Sequence, residues 1–274
     1  LEAVYAANPN VVVLLNTCSS LTVNWAQAHV PAILATWYDG QEQGRAISDV
    51  LFGDYNPGGK LTSTWYASQS DLPGNLLQYD IQKNHYTYMY YDKTPLYPFG
   101  YGLSYTTFEY SNAAIGSGSA SCTVKNTGTR RGAEVVQVYV SFPGSSVSHR
   151  PNRKLVGFER VELEPGQATS VNIPISDEQL AYYDEQTNTW QVEAGTVQVY
   201  ISASSADDRL TGSFTTSAYK LKDTYLSSAT PDGIITTLTN SEIVNREVFN
   251  LNGQRISPSH KGIAIVNGRK VVIK

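Results

Sequence analysis

Hydrophobic positions follow two rhythms along the chain, and the change of rhythm divides it. Residues 11–15 form an unbroken run of Val and Leu, the pattern of a strand covered on both faces in a parallel sheet. Residues 31–38 repeat that pattern. Residues 1–8 and 24–29 carry helical spacing, and over residues 41–52 Ala46, Ile47, Val50 and Leu51 share one helical face that Gly53 is placed to end. After the turn Asn56-Pro57-Gly58-Gly59, residues 61–66 read as a third strand. Strands alternating with helices at ~30-residue intervals predict right-handed crossovers and a parallel sheet with helices on its faces.

Beyond residue 68 the period disappears. Residues 68–110 are rich in Tyr, Pro and Gly and close on Pro95-Leu96-Tyr97-Pro98-Phe99-Gly100-Tyr101-Gly102-Leu103-Ser104-Tyr105. So long an aperiodic stretch predicts a connector between domains. A period of two then takes over in seven short segments, at residues 121–126, 133–142, 155–163, 168–175, 180–184, 189–193 and 195–203. Turn residues separate them, which predicts an antiparallel β-sandwich whose pairing stays open. Residues 218–240 read as a Ser/Thr-rich linker. Short apolar runs at 247–251, 262–266 and 270–273, around Asn252-Gly253 and Asn267-Gly268, predict a small β-meander. The expected class is α/β plus all-β, with boundaries at 1–110, 111–217, 218–240 and 241–274.

Composition narrows the chemistry. A length of 274 residues suits two domains at ~150 residues each. With 41% hydrophobic and 16% charged residues, packed cores are expected rather than disorder. A net charge of −4 without any Lys/Arg cluster excludes nucleic acid as a partner. No apolar run reaches ~18 residues, so no membrane-spanning helix is expected. Residues 1–8 lack the basic start and apolar core of a signal peptide, so the chain is expected to begin inside a domain. The two cysteines, Cys18 and Cys122, fall in different predicted domains and make no disulfide framework, so they do not fix a compartment.

No metal and no cofactor are expected. His29, His85, His149 and His260 show no ligand spacing, and neither a phosphate-binding Gly-rich loop nor a Gly-x-Ser-x-Gly elbow is present. Nineteen Tyr and four Trp suit sugar recognition, because flat rings cover pyranose faces, and suit sheet cores as well. Glu42, Asp49 and Asp54 are the tempting carboxylates. Glu42 stands at a helix N-terminus, where negative charge is favoured in any case, and all three read as structural. Gly40 and Gly44 are expected to permit close backbone approach, and Gly58-Gly59 to supply positive φ.

The string Trp37-Tyr38-Asp39-Gly40-Gln41-Glu42-Gln43-Gly44, followed by Leu51-Phe52-Gly53-Asp54-Tyr55-Asn56-Pro57-Gly58-Gly59-Lys60-Leu61, resembles family 3 glycoside hydrolases, with Asp39 where the family commonly has Pro. Residues 96–106 resemble the hallmark that joins that α/β domain to a fibronectin type III-like domain. Val136-Gln137-Val138-Tyr139-Val140, Leu155-Val156-Gly157-Phe158-Glu159-Arg160-Val161 and Leu163-Glu164-Pro165-Gly166-Gln167 are similar to the strands of the latter. The resemblance implies a partial α/β/α sandwich, then an immunoglobulin-like (fibronectin type III-like) β-sandwich, then the small meander.

For function, the resemblance implies the C-terminal portion of a retaining exo-β-glycosidase acting on oligosaccharides of plant polysaccharides. Such enzymes need two carboxyl groups about 5–5.5 Å apart. In the family these are an Asp on the barrel domain and a Glu upstream of the segment that residues 1–15 resemble. No catalytic residue is therefore carried over to this chain, and substrate-binding residues stay unassigned. Residues 79–90 resemble the β-xylosidase branch more than β-glucosidases, although His85-Tyr86-Thr87-Tyr88 replaces the usual Gly-Arg-Thr-Tyr. Residues 246–274 are similar to type IX sorting domains, which implies the type IX machinery as a partner. Export across the outer membrane of a Bacteroidetes-like bacterium would then give a secreted or cell-surface location. The competing reading is a non-catalytic secreted carbohydrate-binding or structural module, and the α/β strings have no use in one. Oligomeric state is left open.

Overall fold

The computed structural model describes residues 1–72, 77–221, 236–238, 248, 249, 255, 257, 262–266 and 269–273. They belong to two compact units, Leu1–Tyr182 with Val192–Tyr219, and Tyr183–Gln191 with Lys220–Lys274.

The first unit opens with α1 (Glu2–Ala7), β1 (Val12–Leu15), α2 (Asn24–His29), β2 (Ala32–Ala35) and α3 (Gln43–Phe52). β1 and β2 pair in parallel, from Val12 opposite Ala32 to Leu15 opposite Ala35. α3 stops where Gly53 turns left-handed at φ 82°. Inside α2, His29 stacks on Trp25 at 4.5 Å and its Nδ1 meets the Trp25 carbonyl at 2.7 Å, so this histidine is a packing residue.

Three expectations are corrected here. The β1 faces are not both covered: Val12 and Leu14 are 50% and 43% exposed. Among the described residues the pair has no third strand beside it, and α1 buries none of its residues. Residues 61–66 are not a parallel strand either. They run against the connector: Leu61 donates its N–H to the Tyr101 carbonyl at 2.8 Å and Trp65 to that of Tyr97 at 2.9 Å, while Gly100 and Leu96 donate back. The regular pairing here is a single bridge, Trp65 to Tyr97, and Pro95, two residues before it, has no N–H with which to extend it. Finally, apart from its chain neighbours and the backbone of its own helix, nothing lies within 4 Å of where a Cβ would stand on Gly40 or Gly44. Gly58 and Gly59 keep ordinary φ, and the space at Gly58 is what matters, since a Cβ there would lie 2.9 Å from that of Ala133.

The connector holds α4 (Thr87–Tyr90), and β3 (Phe108–Ile115), β4 (Ser119–Asn126), β5 (Gly132–Ser141), β6 (Lys154–Leu163) and β7 (Ala168–Pro174) follow. Then come α5 (Asp177–Leu180), β8 (Tyr182–Asp184), β9 (Thr189–Val192), β10 (Gly195–Ser204), β11 (Asp207–Thr216) and β12 (Tyr219–Lys220). A four-stranded sheet β11-β10-β5-β6 and a three-stranded sheet β3-β4-β7 form the sandwich, every pairing antiparallel. β11 meets β3 and β6 meets β7 where the sheets adjoin. Alternation delivers the core: Val136, Val138 and Val140 of β5, Val197, Val199 and Ile201 of β10, and Ala120, Cys122 and Val124 of β4 are all buried.

The sandwich strands are not the seven segments read from the sequence. β3 and β11 match none of those segments, while residues 180–184 and 189–193 lie outside both sheets. Leu180 ends a helical turn, and the Gln179 side chain accepts the Ser176 N–H at 2.7 Å across the start of that turn.

In the second unit, residues 183–191 double back, with Asp184 accepting from the Thr187 hydroxyl at 2.6 Å and the Gln191 amide at 2.8 Å. The tail contributes β13 (Thr236–Leu238), β14 (Val248–Phe249), β15 (Gly262–Val266) and β16 (Arg269–Ile273), in sheet order β13-β16-β15-β14. β15 is antiparallel to both neighbours, and β13, inside the stretch read as linker, lies parallel to β16. Asn252-Gly253, Asn267-Gly268 and His260 lie outside the described residues. Among the described residues no helix is long and apolar enough to cross a membrane.

Candidate functional site

The strings that carry the resemblance meet where the α/β segment joins the sandwich, inside the first unit. Gln137 of β5 is the centre of this joint. Its amide donates to the Gly100 carbonyl at 3.0 Å and to the Ala203 carbonyl at 2.8 Å, and its Oε1 accepts the Tyr139 hydroxyl at 2.5 Å. Phe99 stacks on Tyr88 with ring centres 4.4 Å apart, and the Tyr88 hydroxyl accepts the Leu155 N–H at 3.1 Å. Burial pushes the Tyr88 phenol above its ordinary pKa, which keeps that oxygen neutral.

Turn residues complete the joint. Asn56 Oδ1 accepts the Ser104 hydroxyl at 2.9 Å and the Tyr105 N–H at 2.7 Å, while its Nδ2 donates to the Arg131 carbonyl at 2.9 Å. Lys60 meets Glu134 at 2.9 Å, with side chains only 13% and 9% exposed, and donates to the Gly102 carbonyl at 3.0 Å. Gly102 itself has no room for a side chain, because a Cβ would collide with the Gly59 carbonyl oxygen. These polar groups are matched donor to acceptor, so the joint fixes the orientation of two layers. Asn56, Lys60, Glu134 and Gln137 had not been singled out as partners, since nothing in the local pattern links positions so far apart in the chain.

Glu42, Asp49 and Asp54 fall elsewhere. Glu42 stands at the N-cap position of α3 without a side-chain capping hydrogen bond, Asp49 pairs with Arg45 at 3.9 Å one turn away, and Asp54 follows the helix end. The length of α3 places Glu42 about 15 Å from Asp54, far beyond the ~5.5 Å that a retaining pair needs. Among the described residues, where a carboxyl pKa is displaced it is displaced downward. Asp71 is lowered first by its hydrogen bond from Lys93 and then by that from Tyr91, and Asp184 first by the Thr187 hydroxyl. At Glu193 burial works the other way and is outweighed by donors from Ser145 and Ser146 and by the Arg150 charge. A general acid needs the opposite displacement.

His85 lies 3.4 Å from Asp92, and the His149 ring is tilted against that of Tyr182. Cys18 is exposed and Cys122 is in the sandwich core, both as free thiols. Among the described residues no group of three or more His, Cys, Asp or Glu is placed to hold a metal ion.

The first unit is thus an α/β layer segment held by hydrogen bonds and an ion pair to an immunoglobulin-like sandwich. Comparison with known proteins identifies both parts. The model of the glycosyl hydrolase family 3 C-terminal domain matches residues 1–105, and that of the fibronectin type III-like domain matches residues 134–205. Residues 1–105 therefore carry a family 3 C-terminal domain and residues 134–205 a fibronectin type III-like domain.

A xylan 1,4-beta-xylosidase of Xylanibacter ruminicola is 37% identical over 216 residues, covering 77% of this chain and 24% of that protein. A beta-xylosidase of Formosa agariphila is 39% identical over 225 residues, 78% of this chain and 31% of its own length. Among solved structures, the family 3 beta-glucosidase of Bifidobacterium adolescentis superposes with a TM-score of 0.74 at 33% identity, covering 79% of this chain and 34% of that one. The chain thus spans between 24% and 34% of the length of these three relatives.

Proposed function

We propose that these residues serve as the C-terminal portion of a retaining exo-β-glycosidase that releases xylose from β-linked oligosaccharides, with β-glucosides as the alternative substrate. The observation that carries this reading is the joint built by Gln137, Asn56 and Lys60, which assembles the family strings into one structure. The names of the two xylosidase relatives support xylose, and beta-glucosidases such as the Bifidobacterium adolescentis enzyme are the reason β-glucosides stand as the alternative. The catalytic Asp and Glu belong, on this reading, to parts of the protein outside the residues given. The test assays the purified 274 residues, and the protein extended by its upstream coding region, on aryl β-xylosides and β-glucosides. Hydrolysis by the longer protein alone, faster on the xyloside, is the expected result. Turnover by the 274 residues alone, or by neither, overturns the reading.

We infer further that residues 241–274 are an export address for type IX secretion and that the protein is secreted or held at the cell surface. Within this stretch β14, β15 and β16 pair in one sheet, joined by β13 just upstream, which supports a role for the tail. Deleting residues 241–274 should leave hydrolysis intact and retain the protein inside the cell. Unchanged export after the deletion refutes the address.

A further inference from the structure

Three of the four tryptophans lie against another aromatic ring: Trp25 against Tyr5 and His29, Trp65 against Tyr97, and Trp190 against Tyr183. Trp37 has no such ring partner among the described residues, and it stands at φ 53°. A bulky residue is strained there, because its Cβ crowds the following carbonyl oxygen. Strain of this kind persists only where the surroundings impose it, and it concentrates at functional positions.

The surroundings that impose it are visible. Asn16, directly after β1, donates its side-chain amide to the Trp37 carbonyl at 2.5 Å and reaches the Thr36 hydroxyl at 3.5 Å. Thr36 is buried and donates its N–H to the Leu15 carbonyl at 3.0 Å. Residues 16 and 36–38 therefore lie just past the carboxyl ends of the parallel strands β1 and β2, the edge at which α/β sheets bind ligands. Tyr38 is 68% exposed, and Asp39 is exposed beside it.

We propose that Trp37 and Tyr38 form a stacking platform for a pyranose ring of a β-linked oligosaccharide, with Asn16 as the positioning residue that holds the loop open for it. An indole and a phenol cover the apolar C–H face of the sugar, and the Asp39 carboxylate accepts hydrogen bonds from its hydroxyls. The proposal rests on the glycosidase reading and adds to it a sugar contact on the α/β layer.

The test titrates the full chain with xylotetraose, by calorimetry and by ligand-observed NMR. Millimolar binding is expected, weakened roughly tenfold or more by Tyr38→Ala and lost in Trp37→Gly, with Trp190→Ala behaving as wild type. Asn16→Asp keeps the size of the side chain but loses the donor, and it should weaken binding as Asn16→Ala does, at an unchanged melting temperature. Trp37→Gly carries a second readout. Glycine tolerates positive φ, so if the strain serves the ligand, the variant melts at the same temperature or higher.

A lower melting temperature with binding intact in Trp37→Gly marks a packing role and overturns the proposal. So does a wild-type chain that binds no xylotetraose, or binding that survives both aromatic substitutions. Hydrolysis by the longer protein is scored separately. Hydrolysis without binding removes only the platform, and binding without hydrolysis removes only the glycosidase assignment.

Discussion

Lys60→Met is the sharpest probe of the joint, because it removes a cation and leaves its carboxylate behind. At 2.9 Å, and with an effective dielectric constant of about 20, the pair attracts by about 6 kcal/mol. Desolvation takes back much of that, since the two side chains are only 13% and 9% exposed. The cost of deletion is therefore set by the stranded charge, typically about 3–5 kcal/mol. Glu134 retains one donor, the Val135 N–H at 2.8 Å, which places the expected loss at the low end, about 3 kcal/mol. A loss of that size lowers the melting temperature by roughly 6–12 °C in a unit of this size.

The double variant Lys60→Met/Glu134→Met removes both charges and should recover most of the loss, because apolar replacement of a buried pair is close to neutral. Urea denaturation of the full chain, followed by tryptophan fluorescence, measures each variant. Arg131→Ala is the control: its 61% exposed side chain faces Glu162 at 3.3 Å and Glu164 at 3.4 Å, and should cost less than about 1 kcal/mol. A Lys60→Met loss no larger than that of the control refutes the reasoning. So does a double variant whose loss equals the sum of the singles, since partners in contact must couple.

Gly102→Ala should destabilise by about 2 kcal/mol or more in the same assay, because its Cβ meets backbone at Gly59 rather than a side chain that can move aside. Asp71 and Tyr91, hydrogen bonded at 3.0 Å, predict opposite limbs of the pH profile. The lowered Asp71 pKa means that the unfolded chain binds more protons at acid pH, so its contribution is present above pH 3.8 and fades as pH falls further; Asp71→Asn should flatten that limb of a urea midpoint series. Tyr91 is pushed up to about 12, first by burial and then by Asp71, so its contribution is present below pH 10 and is lost as pH rises through 12; Tyr91→Phe should flatten that limb. The Cys122 thiol, raised to about 11 by burial, should resist alkylation in the native chain while the exposed Cys18 reacts, and mass spectrometry before and after urea reads the difference.

What was legible in the sequence is what local periodicity encodes. β1 and β2 show as unbroken apolar runs, and α2 and α3 show because each keeps helical spacing over its whole length. β4, β5, β6, β7 and β10 show because alternation puts Val, Ile, Ala or Leu on a buried face. β3 and β11 escaped for a common reason: both are edge strands, and neither buries a single residue, so their outward faces are free to be polar. β3 also breaks register between Ser111 and Ala114, with Asn112 at φ 52°, which erases a strict alternation. The capping signal Ser176-x-x-Gln179 was available and outranked the apolar Leu180 that suggested a strand.

The joint was illegible for a different reason. Gln137 reads locally as one polar residue between valines on β5, and only the fold reveals that its amide binds carbonyls from the connector and from β10. Motif resemblance located the strings without saying what they do, and the geometry supplies the cause. Gly100 offers its carbonyl to Gln137, Gly102 makes room for Gly59, and Ser104 and Tyr105 grip Asn56. Alternate positions of Gly100-Tyr101-Gly102-Leu103-Ser104 thus face the sandwich or the turn, which ties the spacing of the string to the joint. If that is the reason for the string, Asn56→Ala should loosen the joint as much as a substitution within the string itself, although Asn56 lies far from it in sequence. Faster proteolysis of residues 96–106 in Asn56→Ala is the expected result, and protection equal to wild type would show that the spacing answers to something other than this contact.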